Sequence, residues 1–469
     1  MQSRRRESWQ EQLYRYRGLA TLVSIPVALI LIILFVMPRS SPSQYTDSLP
    51  QDTFSQMGAT EEERSVTVPV GKERYAVIFD AGSTGSRVHI YRFRQSPDGS
   101  KLELEKDIFE QIKPGLSSYA EDAEAAAKSL EPLLYQALEN VPKELQAETP
   151  IKVGATAGLR LLPGGQSDAI LLAVQTFLAA SPFKLDPKTG VTVLDGTEEG
   201  AFAWLTLNYL LDKLAGDPSD TMAAIDLGGG SVQEAFALSE KEAGEAPNGY
   251  ITKLRASGHT FHVYVHSYLG FGLMAGRAAV LSHEEVVNAN PCIPTGHSGT
   301  YEYGKVSHQL QAHPDGATFE GCSKLVDLVL RQKEPCGAPQ DQCAFNGAWG
   351  GSRQPKAFYV SSYFWDRAVE AGIIKDETAL SYTLKPQDLS SAAESACTTP
   401  LTALAALFPS VDKTQGPLMC LDLTFCHTLL TKGFRIGEKS AVTLVKRIQY
   451  KDQQVEAAWP LGAAISVLS

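Results

Sequence analysis

Two short turns carry the residues best suited to chemistry. The first is Asp80-Ala81-Gly82-Ser83-Thr84-Gly85-Ser86; the second is Asp226-Leu227-Gly228-Gly229-Gly230-Ser231, running on into Val232 and Gln233. Each starts where an apolar run ends (Tyr75 to Asp80, Met222 to Asp226) and each leads into another apolar run. Glycines let backbone N–H groups converge on one concavity, and neighbouring hydroxyls add donors, which is what holding a phosphate without basic side chains requires. A single turn of this kind also reads as a plain Asp-Gly hairpin. A second copy 146 residues later changes the balance, because three consecutive glycines cost conformational entropy that a plain hairpin need not incur. Facing each other, the two turns would clamp a polyphosphate, with Asp80 and Asp226 holding the water shell of a divalent cation.

A hydrolase also needs a base. Val193-Leu194-Asp195-Gly196-Thr197-Glu198-Glu199-Gly200 lies at a strand-to-helix junction. Thr197 suits an N-cap and acidic residues suit a first turn, so the segment has a purely structural explanation. The functional reading is that one Glu faces the cleft and takes a proton from an attacking water; periodicity does not choose between Glu198 and Glu199. Gly154-Ala155-Thr156-Ala157-Gly158-Leu159-Arg160 is another small-residue turn after a strand, and Trp459-Pro460-Leu461-Gly462 fits a helix start with Pro in its first turn. Trp459 reads equally well as core.

The elements that must position these residues alternate as in an α/β fold. Strands are expected over 75–80, 86–93, 151–155, 191–195, 222–226 and 232–238, with helices over 120–140, 167–180 and about 198–214. The stretch 245–355 reads as loop-rich. Beyond it come a strand near 357–361, helices near 386–396 and 419–430, and a strand over 442–450. The chain has 469 residues, 43% of them hydrophobic and 20% charged, an ordinary globular composition that at this length points to two lobes. The net charge is −11, and the first 17 residues carry five Arg against two Glu, so the remainder is at −14. A body that acidic lacks the clustered cations needed to bind nucleic acid.

Gly18 to Met37 holds no charged residue and is about the length that spans a bilayer core. The five preceding Arg orient it as a type II anchor, with residues 1–17 cytoplasmic, 18–37 in the membrane and 38–70 a Ser/Pro-rich stalk. A cleaved signal peptide is the alternative. All seven Cys fall between Cys292 and Cys426, which suits disulfides in an oxidising compartment and leaves one thiol free or paired between chains, permitting a homodimer. The Golgi, with the catalytic part lumenal, is the expected location, and the plasma membrane with the catalytic part extracellular is the alternative.

The segments DAGSTGSRVHIYRF, GATAGLRLL, LDGTEEGAFAW, IDLGGGSVQEAF and AAWPLG, in that order over roughly residues 74–469, resemble the five conserved regions of the apyrases, the nucleoside triphosphate diphosphohydrolases, with plant-type members closest. The resemblance implies a two-lobed fold like that of actin, Hsp70 and the sugar kinases (ribonuclease H-like), with the active site in the interlobe cleft. It implies lobe I over 71–195 plus 451–469, and lobe II over 196–450. Glu199 matches the catalytic base. Ser83 and the DAGSTG backbone match the first phosphate loop, and Gly228 to Ser231 the second. Asp80 and Asp226 match the carboxylates around hydrated Ca²⁺ or Mg²⁺, while Glu199, Thr156 and Trp459 match positions near the water and metal. The disulfides implied are Cys292–Cys322, Cys336–Cys343 and Cys397–Cys420, leaving Cys426 unmatched. An Arg expected after Tyr264 to Leu269 to stack on the base has only Arg277 nearby, displaced. The implied activity is stepwise hydrolysis of ATP to ADP to AMP. The alternatives are a Golgi-lumen diphosphatase preferring UDP or GDP, and a nucleotide-binding switch or kinase of the same superfamily.

Overall fold

The computed structural model describes residues 71–469 apart from 83–84, 161, 285–288, 305, 353 and 377. The expected tail, anchor and stalk lie outside the described residues. Among those described, no helix is long and apolar enough to cross a membrane.

Two sheets share one strand order. In the first, β1 (Lys72–Ala81), β2 (Ser86–Gln95) and β3 (Leu102–Ile112) are antiparallel neighbours; β4 (Pro150–Ala155) pairs parallel with β1, and β5 (Lys184–Leu185) and β6 (Val191–Val193) pair parallel with β4. In the second, β7 (Ala223–Leu227), β8 (Ser231–Leu238) and β10 (His259–Leu269) are antiparallel neighbours, with β9 (Ile251–Ala256) outside β10. Beyond a separate hairpin of β11 (Ser298–Tyr303) and β12 (Val306–Gln311), the strand β13 (Phe358–Ser362) pairs parallel with β7. Next to β13 comes β15 (Val442–Val445), parallel, with β14 (Ser381–Leu384) antiparallel at the edge. Thus β3-β2-β1-β4-β6 in one sheet corresponds to β10-β8-β7-β13-β15 in the other. The repeated Asp-Gly turn is the β1–β2 connection in one and the β7–β8 connection in the other.

Central strands are apolar throughout because both of their faces are covered. In β1, Tyr75, Val77 and Phe79 face an outer core under the helices α1 (Ala123–Ser129), α2 (Glu131–Asn140) and α3 (Gln166–Ala179). Ala76 and Ile78 face a middle core that holds α4 (Gly196–Leu210). The outer face of the second sheet is covered by α5 (Leu273–Leu281), α6 (Phe319–Leu330), α7 (Tyr363–Glu370), α8 (Pro386–Thr398) and α9 (Met419–Thr428). The last helix, α10 (Trp459–Leu468), joins α4 in the middle core, which also takes Ala235, Ala237, Val263 and Val265 from the second sheet. Two helices are therefore sandwiched between the sheets. They meet where Gly462 N donates to Thr206 Oγ1 at 2.7 Å and that hydroxyl donates to Ala458 O at 2.8 Å.

Several expected elements are corrected. The loop-rich stretch 245–355 also supplies regular elements that were not expected: the eleven-residue β10, its partner β9, and the helices α5 and α6. The expected helix over 120–140 is two, because Pro132 opens the second and has no N–H to continue the first. The expected strand over 442–450 divides into β15 and a hairpin of β16 (Arg447–Tyr450) with β17 (Gln453–Glu456). Other elements, too, were not foreseen. β3 is an edge strand whose charged residues hide its period, and α7 opens on aromatics that favour strands.

The cysteines pair as Cys292–Cys322, Cys336–Cys343 and Cys397–Cys420. Cys426 is free and fully buried, so it presents no surface thiol for pairing between chains.

Candidate active site

Parallel pairing sets the site. Asp80 and Ala81 end β1, where β4 places Gly154 and Ala155 beside them, and Thr156 N donates to Ala81 O at 3.3 Å. Asp226 and Leu227 end β7, where β13 places Ser361 and Ser362. Both aspartates thus emerge at C-terminal strand ends, the usual ligand side of α/β sheets.

Each aspartate has one oxygen anchored. Arg87 Nη1 donates to Asp80 Oδ2 at 2.8 Å, whereas the Ser361 and Ser362 hydroxyls donate to Asp226 Oδ1 at 3.0 and 2.5 Å. The second oxygen of each has no hydrogen bond among the described residues. Burial raises the Asp226 carboxyl above its usual range, the two hydroxyls draw it down, and the Asp80 charge pushes it up.

Glu199 stands one turn into α4. The helix starts on Asp195, whose Oδ1 accepts from Thr197 N at 2.7 Å and Glu198 N at 2.8 Å. Asp195, not Thr197, is therefore the cap, because its carboxylate reaches both donors. This register leaves Glu198 exposed and turns Glu199 inward, at 13% side-chain exposure, against Arg160 Nη2 at 2.7 Å. Burial pushes the Glu199 carboxyl up to about 8. The Arg160 guanidinium opposes that shift, and the charges of Asp226 and Asp80 add to it. The Asp80 charge thus reaches both Glu199 and Asp226.

The glycines serve close approach, since none of those described in the two turns has positive φ. A Cβ on Gly82 would meet the Gly85 carbonyl at 3.1 Å, and one on Gly85 the Ile112 carbonyl at 2.8 Å. In the second turn Gly228 N donates to Ser231 O at 3.0 Å, and the start of α5 seals it: Leu273 N donates to Gly228 O at 2.9 Å and Ala275 N to Gly229 O at 3.0 Å. Gly230 O accepts from Gly270 N at 2.8 Å.

Of the remaining expected residues, Ser231 and Gln233 are buried together, with Gln233 Nε2 donating to Ser231 Oγ at 2.7 Å and Ser267 Oγ at 3.0 Å. Gln233 abuts the helix carrying the Glu, since a Cβ on Gly200 would lie 3.1 Å from Gln233 Cβ. Ser86 is buried, with its hydroxyl unpartnered among the described residues. The side chains of Leu227 and Val232 belong to the second sheet's core, so only their backbone can serve the site. Trp459 is 4% exposed and its indole lies where a Cβ on Gly154 would sit, which explains that glycine. Ala157 opens a short turn of helix ending at Arg160. Ser83 and Thr84 lie outside the described residues. Arg277 cannot stack on a base, because it is buried with Nε and Nη2 on the Asp422 carboxylate at 2.7 and 2.5 Å.

Arg160, Arg87, Ser267, Ser361 and Ser362 join the site without having been singled out. Arg160 stood inside a quoted motif; the serines had no local signal. No cluster of three His, Cys, Asp or Glu among the described residues could grip a metal directly. Two carboxylates, each with an unbonded oxygen and no sulfur or imidazole beside them, instead fit a hard cation that keeps its waters.

Rice "Probable apyrase 2" is 42% identical over 99% of the chain and 97% of its own length, and Arabidopsis thaliana "Apyrase 1" is 42% identical over 85% and 86%. Human "Nucleoside diphosphate phosphatase ENTPD5" is 34% identical over 84% and 87%. The crystal structure of nucleoside triphosphate hydrolases from Neospora caninum superposes with a TM-score of 0.61 at 15% identity, covering 84% of this chain and 92% of that one, a likeness of fold. Residues 68–469 match the GDA1/CD39 (nucleoside phosphatase) family, and the chain belongs to that family.

Proposed function

We propose that the chain is an apyrase that hydrolyses nucleoside tri- and diphosphates in the cleft between its lobes. The observation that carries this is Glu199, buried between two Asp-Gly turns, coupled to both aspartates and oriented by Arg160. Backbone N–H groups of the two turns bind the terminal phosphate oxygens, apart from that of Gly228, which donates to Ser231 O. Gln233 and Ser231 orient a water beside the base. Ionised Glu199 accepts a proton from that water as its oxygen attacks phosphorus, and the shortened nucleotide leaves without a phosphoenzyme. Asp80 and Asp226, with Thr156 and Trp459 in the same site, would hold a divalent cation, Ca²⁺ or Mg²⁺. When bound, it neutralises charge developing on the phosphate oxygens. The repeated strand order supports the actin/Hsp70/sugar-kinase architecture. The three disulfides and the uncharged run 18–37 support a type II membrane protein with its catalytic part in the Golgi lumen or outside the cell.

The test is phosphate release from ATP, ADP, UDP and GDP with Ca²⁺, Mg²⁺ or EDTA, using protein starting near Ser41 from an oxidising host. The expected outcome is cation-dependent hydrolysis of both ATP and ADP, with folded Glu199→Gln about a thousandfold slower. A diphosphatase, the second reading, draws support from the human relative and would release phosphate from UDP and GDP while leaving ATP intact. Binding of ATP without turnover by wild type would replace both with a nucleotide-binding module.

A further inference from the structure

We propose that Ser361 and Ser362 are positioning residues for the divalent cation, aiming the Asp226 carboxylate at it. The proposal rests on the hydrolase reading above. Both hydroxyls converge on Oδ1, at 3.0 and 2.5 Å, which fixes the plane of the carboxylate and leaves Oδ2 without a hydrogen bond among the described residues. Asp80 is held differently, by the cationic Arg87. Its charge is offset by its own partner, whereas neutral hydroxyls orient Asp226 without cancelling its charge. Asp226 is therefore the stronger attractor of a cation. The matching positions of the first sheet, Gly154 and Ala155 on β4, carry no hydroxyl, so the device is peculiar to the second lobe.

The backbone shows that this hydroxyl is held at a cost. Ser362 has φ +60° and ψ −123°, a conformation that glycine adopts freely and serine does not. What sustains it is the anchoring of α7, which begins at the next residue. Arg367 of α7 donates from Nη1 to Asp422 Oδ2 at 2.9 Å, and the same buried carboxylate takes Arg277 of α5. The start of α5 in turn bonds the Gly228 and Gly229 carbonyls. One fully buried aspartate thus ties the phosphate turn and the Ser361–Ser362 segment to each other, and Ser362 has little freedom to relax away from Asp226.

The test uses EDTA-stripped protein saturated with a non-hydrolysable ATP analogue, with Mn²⁺ as probe and bound metal counted by electron paramagnetic resonance. Ser361→Ala and Ser362→Gly should each weaken Mn²⁺ binding about tenfold, the scale of one hydrogen bond to a charged group. The double variant should lose more, and Ser361→Thr, which keeps the hydroxyl, should bind like wild type. Ser362→Gly should melt no lower than wild type, since glycine accepts the backbone angles, so its weaker binding would not reflect misfolding. Folded variants that bind Mn²⁺ like wild type would overturn the positioning role and leave the hydrolase reading standing. Wild type that takes up no Mn²⁺ would overturn both.

Discussion

Burial drives the Glu199 carboxyl up to about 8 while Arg160 pulls it down, and a proton acceptor must be ionised. Activity in kcat/KM should therefore rise with pH through the ionisation of Glu199, a bound cation moving that limb to lower pH. Arg160→Met removes the opposing charge, so the limb should move to higher pH and kcat/KM near neutrality should fall about tenfold per unit moved. A pH–rate profile that loses height without moving would assign Arg160 to another task. Glu234 offers a cleaner electrostatic test. It is buried on β8, and burial raises its carboxyl to about 8 against the pull of Arg435. Its folded value lies above its unfolded value, so the folded chain holds the proton more tightly. Stability from this source is full below the ordinary carboxylate range and is lost as pH rises toward and through 8. Glu234→Gln should be more stable than wild type by up to about 5 kcal/mol at pH 9 and little different at pH 4, as urea denaturation would read.

At the scale of elements, the junction between the second turn and α5 is a tight fit made by backbone. A Cβ on Gly272 would strike the backbone of Gly228, Gly229 and Ser231, which cannot swing aside as a flexible side chain could. Gly272→Ala should cost about 1–3 kcal/mol in stability and more in kcat/KM than that loss explains, because the phosphate turn must shift. Equal activity per folded molecule, measured by titrating activity against thermal unfolding, would show that the turn's placement does not matter. The strands and turns around Asp80 and Asp226 were legible because fully buried strands are continuous apolar runs. β10 was not: its polar His259, Thr260, His262, His266 and Ser267 interrupt the run, and the strand exists because β8 and β9 pair with it on both sides. Ser361 and Ser362 were invisible for a related reason, since only parallel pairing with β7 brings them to Asp226.

Across the whole molecule, the two sheets are joined by a middle core rather than by a linker, with α4 and α10 contributing side chains that touch residues of both. Unfolding should be a single transition, seen alike by far-UV circular dichroism and tryptophan fluorescence, and two separated transitions would show that the lobes are energetically independent. The disulfides lie in the second lobe only. The Cys292–Cys322 bridge closes 30 residues, so Cys292→Ser with Cys322→Ser should cost about 3 kcal/mol in denaturant unfolding. If that loss leaves activity per folded molecule unchanged, the bridge serves stability and not the cleft.

The amino-acid sequence by itself determined the two Asp-Gly turns, the strands that end on them, the candidate bases Glu198 and Glu199, and the acidic net charge. All of these rest on local pattern: apolar runs, glycine spacing and residue type. The tertiary structure decided what depends on neighbours distant in the chain. It turned Glu199 rather than Glu198 toward the cleft, because Asp195 sets the helix register and Arg160 supplies the partner. It spent Arg277 on Asp422 and buried Cys426, removing one from base recognition and the other from pairing between chains. It also placed Ser361 and Ser362 on Asp226, a contact between residues 135 and 136 positions apart. A periodic pattern reports which face of an element is buried; which charged group it meets there is settled only when the sheets assemble.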